Sequence, residues 1–226
     1  MVVAGIAFAA AIAFEFSVGE ARGDGDNPAD SLLFLQNFGQ QYVYSGLALV
    51  VAGVAIVVAV LGVLRLIGTP SLAFSTASAL GVLAGGFLAV GGIMRMQANG
   101  TVPHIQDLNE SWGESAYLVV QIAGTQGVIS TGLMAVAAWL VALAVVLYRR
   151  GVRALALLAV LPAGMLAVLL LDLLAPTLAT DDGTLSSIIY VVYILCALGG
   201  IPIASIGFGI ALATARVQER LRPVEG

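Results

Sequence analysis

An all-α membrane helix bundle of about six crossings is the fold this sequence predicts, and three observations predict it. Of 226 residues, 60% are hydrophobic and 10% charged, with a mean hydropathy of +1.05. A soluble domain usually carries about a quarter charged residues, so most of this chain's surface has to face something apolar. The apolar residues also fall in long blocks without period-2 alternation, which favours helices over the alternating strands of a membrane β-barrel. Finally, the blocks are punctuated by short polar segments of strongly unequal charge.

Read against the ~20 apolar residues needed to cross a ~30 Å hydrocarbon core, the blocks give spans at about 1–18, 41–67, 72–95, 116–148, 152–175 and 185–215 of a single transmembrane domain. The first is interrupted by Glu15, and no basic residue precedes it as in a secretory leader, so it reads as a retained helix. The second and third spans are joined by Ile67–Ser71, where Gly68 and Pro70 end one helix and start the next. The fourth and fifth are joined by Arg149–Arg153. Such short turns make antiparallel neighbours. The polar-headed second span is too long for a bilayer: Ser31 to Leu66 would extend ~54 Å as one helix. A break at Gly39 would relieve this, as would one at Gly124 in the fourth span.

Charge sets the orientation. Arg65, Arg149, Arg150, Arg153, Arg216, Arg220 and Arg222 follow the second, fourth and sixth spans. Glu15, Glu20, Asp24, Asp26, Asp30, Asp107, Glu110, Glu114, Asp181 and Asp182 lie in the other loops, with only Arg22 and Arg95. Basic loops stay in the cytoplasm, so both termini are expected inside the cell membrane and the acidic loops outside. A shift of 86 residues lays Gln40, Ser45-Gly46-Leu47 and Leu61 over Gln126, Thr131-Gly132-Leu133 and Leu147, which suggests a bundle of three helical hairpins.

Several chemistries are excluded. All nine basic residues are Arg, so no Schiff base and no Lys-dependent phosphate loop can form. Cys196 has no second cysteine to pair with, and His104 is a lone histidine that cannot supply two haem ligands. A net charge of −4 is no footprint for nucleic acid. No cofactor is expected, and no catalytic motif is present.

The remaining candidates are polar groups in apolar surroundings and glycines that permit close packing. Asp172, in the run Leu-Leu-Leu-Asp-Leu-Leu-Ala-Pro, costs about 2.5–3.5 kcal/mol at a helix centre unless protonated or paired. It reads either as a proton- or cation-coupling carboxylate or as an acid at the outer interface. Gln36 and Gln40 share one helical face, followed by Gln41, Tyr42, Tyr44 and Ser45; Gln121, Thr125 and Gln126 do likewise; Ser186, Ser187, Tyr190 and Tyr193 head the sixth span. Polar groups in lipid need partners, so these faces are expected to turn inward, as interhelical glue or as the wall of an outward-opening cavity. Gly81, Gly85 and Gly92 mark one face of the third span. Gly199 and Gly200, with Gly207 and Gly209, crowd the sixth around Pro202, and both sets suit close helix approach. His104, Asp107 and Glu110 have the spacing of weak metal ligands, but no metal site is expected from three mixed groups in a loop. Asn99-Gly100-Thr101 and Asn109-Glu110-Ser111 are glycosylation sequons in the third polar segment. Arg95 is expected to end the third span, pairing with Glu110, Glu114 or Asp172 or reaching headgroups. These features fit a non-catalytic subunit packing with the bilayer and with other membrane chains or copies of itself. They also fit a small transporter; a membrane enzyme is the weakest reading.

Overall fold

The computed structural model describes residues 1–17, 28–68, 70–167, 191 and 195–221, and these are helical nearly throughout, with no strand among them. The first helix, α1, is Val2–Phe16; α2 is Pro28–Ile67; α3 is Leu72–Leu108; α4 is Glu110–Val119. A π-helical stretch, Val120–Ile129, joins α4 to α5, Ser130–Arg149. After α6, Arg153–Ala156, a 3₁₀ turn at Leu157–Ala159 leads into α7, residues 160–167. A second π-helical stretch, Leu195–Gly200, leads into α8, Ile201–Leu212, and α9 is Ala215–Leu221.

Three of these helices are long and apolar enough to cross a bilayer: Asn37–Ile67, Leu72–Leu108 and Gly127–Arg149, at 31, 37 and 23 residues. Shorter apolar helices at Val2–Phe14, Leu157–Ala167 and Leu198–Leu212 fall on the first, fifth and sixth expected spans. The outer portions of those last two, with Asp172 and Tyr190, lie outside the described residues.

Two boundaries differ from the sequence reading. The third helix does not stop at Arg95 but continues through Gly100 and Pro103 to Leu108. Proline at 103 removes one N–H, the one that would reach the carbonyl four residues back, and the helix absorbs that loss. Secondly, α2 bends at Phe38, whose φ of −126° and ψ of 22° leave the helical region, one residue before the glycine expected to break it. The fourth span is irregular around Gly124, where the backbone widens into the π-helical stretch instead of breaking.

Left-handed backbone closes both short turns: Gly68 has φ 76° and Gly151 φ 80°, a conformation that strains any residue with a Cβ. Ser71 then caps α3, its hydroxyl accepting from the Phe74 N–H at 3.3 Å.

The most extensive interface is α2 against α3. Its seam is made of glycine pairs seven residues apart on each helix. A Cβ on Gly46 would lie 2.6 Å from the Gly92 carbonyl oxygen, and one on Gly85 would lie 2.5 Å from that of Gly53. The antiparallel backbones therefore touch, with no room for any side chain. On its other flank α3 meets α5: Gly81 lies beneath the buried Trp139 ring, 2.9 Å from a built Cβ to Cγ, and Gly132 takes Leu88 at 3.0 Å. Helix α8 closes on α1, a Cβ on Gly5 falling 2.8 Å from the Pro202 carbonyl oxygen. Helices α1, α2, α3, α5, α6–α7 and α8 thus form a ring in which each touches the next. Large apolar side chains point out of this ring (Val54, Val58 and Leu61 on α2; Leu83, Phe87 and Val90 on α3) while glycine, alanine and serine line its seams. Small residues at the closest helix contacts, beside a core that also takes Trp139, Phe208 and Ile56, suit helices whose solvent is lipid.

Gly53→Leu and Gly85→Leu are each expected to lower stability by about 1–3 kcal/mol or more through overpacking. Gly86→Leu, one residue along but with nothing within 4 Å of its Cβ position, is expected to be tolerated. Thermal unfolding in mild detergent distinguishes the three.

Candidate functional site

Arg95 is the charged side chain that the described helices bury. Helix α3 carries it into the seam with α2, where it is 4% exposed. Glycine makes the space: Gly46 faces the Arg95 stem, whose Cβ would stand 3.2 Å from a Cβ at position 46. The arginine Nη1 donates to the Ser45 hydroxyl oxygen at 2.9 Å, and its guanidinium carbon lies 5.4 Å from the Tyr42 ring centroid. Ser45 and Tyr42 are both buried, one turn apart on α2. Around Tyr42 gather Leu35, Ala98, Val102 and, from α4, Tyr117, an apolar cap packed separately from the main core.

The energetics explain the composition of this shell. Burying an unpaired guanidinium costs several kcal/mol. A charge-assisted hydrogen bond returns about 1.5–3 kcal/mol, and a desolvated cation over a tyrosine face about 2. Arginine suits the task because its flat group hydrogen-bonds in plane and stacks through its face at once. Thirteen residues, about 20 Å of helix, separate Arg95 from the end of α3 at Leu108.

The same geometry limits the chemistry. The Ser45 hydroxyl oxygen is engaged as an acceptor of the Arg95 guanidinium. Among the described residues no three His, Cys, Asp or Glu side chains gather as a metal site. His104 and Asp107 are exposed on the last turns of α3, which is helix where a loop was expected. Asn109 breaks the chain between α3 and α4, and its side-chain oxygen accepts from the Ser111 N–H at 3.0 Å and hydroxyl at 2.7 Å. That sequon is therefore a helix cap. The other is also helical, and Asn99 occupies the space that a side chain on Gly39 would need.

The remaining candidates separate. Gln40 is exposed, and the Phe38 kink lies between positions 36 and 40 of the backbone. Positions 121 and 126 both fall in the π-helical stretch of the backbone. Gly81, Gly85 and Gly92 are buried in the two seams of α3. Gly200 sits on α7, 2.6 Å from the Leu161 Cβ to a built Cβ, whereas Gly199 has no described atom within 4 Å. The helix irregularities flank Arg95: the kinked head of α2 on one side, and on the other Gly124, whose built Cβ lies 3.2 Å from Met94 Cε. Sequence reasoning gave Arg95 no site role. The signal available was a basic residue on the otherwise acidic side of the chain.

No protein-family model, curated protein or solved structure matches this chain.

Ser45→Ala is expected to destabilise the protein by about 1.5–3 kcal/mol, because it strips a partner from a buried charge. In an Arg95→Met background the same change is expected to cost well under half as much. A double-mutant cycle of thermal unfolding in detergent measures the difference. Equal costs in both backgrounds would show that the Arg95–Ser45 contact carries no energy. Asn109→Ala is expected to remove a cap worth about 1 kcal/mol and loosen α4, read as faster amide exchange there.

Proposed function

We propose that this chain is a six-crossing, non-catalytic cell-membrane protein that serves as an accessory or structural subunit of a larger membrane assembly. The observation carrying the reading is that the buried cation, Arg95, is engaged in fastening α3 to α2 through Ser45 and Tyr42. A charge held in this way acts as a structural fitting between the two helices. Support comes from the large apolar side chains on the outward faces of α2 and α3, which suit lipid and neighbouring transmembrane helices alike. Three helices long and apolar enough to cross a membrane, with shorter apolar helices at Val2–Phe14, Leu157–Ala167 and Leu198–Leu212, support the six-crossing reading, and arginine-rich turns set against acidic loops support cytoplasmic termini. Its partners are then the bilayer and other membrane chains or further copies of itself, and nucleic acid is not among them.

A second reading has one observation in its favour. The kink at Phe38 and the π-helical stretches at Val120–Ile129 and Leu195–Gly200, the latter followed by Pro202, interrupt three helices. Interrupted helices line substrate paths in transporters. In that reading Asp172 is the coupling carboxylate of a cavity opening outward, lined by residues such as Gln36, Gln40, Gln121, Gln126 and Tyr190.

Purification in mild detergent from the native membrane separates the two. Stable co-purification with other chains, or a defined multimer, is the expected result. A monodisperse monomer whose liposome uptake is abolished by Asp172→Asn overturns the subunit reading. Reporter fusions at the two ends are expected to lie on one side of the membrane.

A further inference from the structure

Arg65, Arg149, Arg150, Arg153 and Arg216 collect at one end of the ring. The seams bring them there. Antiparallel pairing of Gly53 with Gly85 sets the end of α2 beside the start of α3, and pairing of Gly81 with Trp139 sets the end of α5 at the same level. Arg65 lies on the last turn of α2, Arg149 and Arg150 at the end of α5, and Arg153 at the start of α6. Helix α8 runs back along the helix that follows Arg153, as Gly207 against Leu158 and Gly200 against Leu161 show, so α9 and Arg216 arrive at this end too. Arg65, Arg149, Arg153 and Arg216 are exposed. Glu219 is the carboxylate among the described residues of these segments.

The last helix is turned to complete this face. Thr214 donates its hydroxyl to the Ala211 carbonyl at 2.7 Å, and the Gln218 side-chain amide donates to the Leu212 carbonyl at 3.0 Å, closing the turn out of α8. Val217 and Leu221 are then buried against the bundle while Arg216 points away from it. This is the disposition of an amphipathic helix lying across the end of the bundle, apolar side inward.

We propose that this arginine-lined end binds anionic phospholipid headgroups. The arginines follow directly on the outward apolar belt: exposed Leu61 lies one turn before Arg65, exposed Val145 one turn before Arg149, and exposed Leu157 one turn after Arg153. They therefore stand at the level where hydrocarbon gives way to headgroups. Arg153 lies over the ring of exposed Tyr148, 5.6 Å from its centroid, pairing an interfacial aromatic with a phosphate-binding fork. Guanidinium groups grip phosphate in pairs, and several around one ring hold several headgroups against the protein. The proposal rests on the membrane reading and is independent of whether the chain is a subunit or a transporter.

Native mass spectrometry of the detergent-purified full chain, offered equal phosphatidylglycerol and phosphatidylcholine, tests it. The expected result is about ten-fold preferential retention of phosphatidylglycerol, falling several-fold in about 1 M salt. The triple variant Arg149→Gln, Arg150→Gln, Arg153→Gln is expected to lose most of the preference, and Asp107→Asn to keep it. Equal retention of the two lipids, or a preference that neither salt nor the triple variant reduces, overturns the proposal. Should the triple variant fail to fold, the salt titration of the parent chain decides alone. Solubility without detergent at the purification step would instead remove the membrane reading itself.

Discussion

Direct backbone contact between α2 and α3 is the constraint on which the rest of the bundle depends. In lipid there is no hydrophobic gain from bringing two apolar helices together, so association comes from close packing and polar contacts. Gly46 with Gly92, and Gly53 with Gly85, provide both: they remove the side chains that hold helices apart, and they open the groove that the Arg95 stem enters. The arginine then adds the polar contact. Each part requires the other, since a wider seam would take Ser45 out of reach of Arg95.

Around this hairpin the remaining seams repeat one logic with different residues. Gly81 admits the Trp139 ring, Gly132 admits Leu88, and Gly5 admits the backbone of α8. Apolar area does little to tell one helix neighbour from another in a bilayer, so these particular fits specify the order of the ring. Serine serves the same end: Ser78 and Ser205 are buried, and serine is among the smallest residues a helix can place at a contact.

Much of this was legible in the sequence, and what was missed has identifiable causes. Charge-poor apolar blocks located the helices, because lipid tolerates little else. The face formed by Gly81, Gly85 and Gly92 was legible from spacing alone, and so were the turns at Gly68 and Gly151. Its partners Gly46 and Gly53 were not, because a seven-residue step on one helix does not say which other helix it meets. The third span was expected to end at Arg95, whereas the helix runs on through Gly100 and Pro103 to Leu108 and ends at Asn109, a residue that read as a sugar acceptor and acts as a cap. Gln40 was expected inward by a four-residue period that the Phe38 kink interrupts. The suspected 86-residue repeat has a mixed outcome. Gly46 and Gly132 do occupy matching places on opposite flanks of α3, but Ser45 is buried on Arg95 whereas Thr131 is exposed and bonded to the Gly127 carbonyl.

The closing contact between α1 and α8 has a consequence for how the chain is made. The α2–α3 seam joins neighbours in sequence and can form as soon as α3 leaves the ribosome, and α5 can dock next. Gly5, by contrast, waits for Pro202 and Ile206, near the far end of the polypeptide. Throughout synthesis the first helix therefore carries an open flank of small residues, exposed to whichever other helices share the membrane. Completion of the ring has to wait for α8, and a chain stopped before that helix would leave α1 free to join the wrong neighbour.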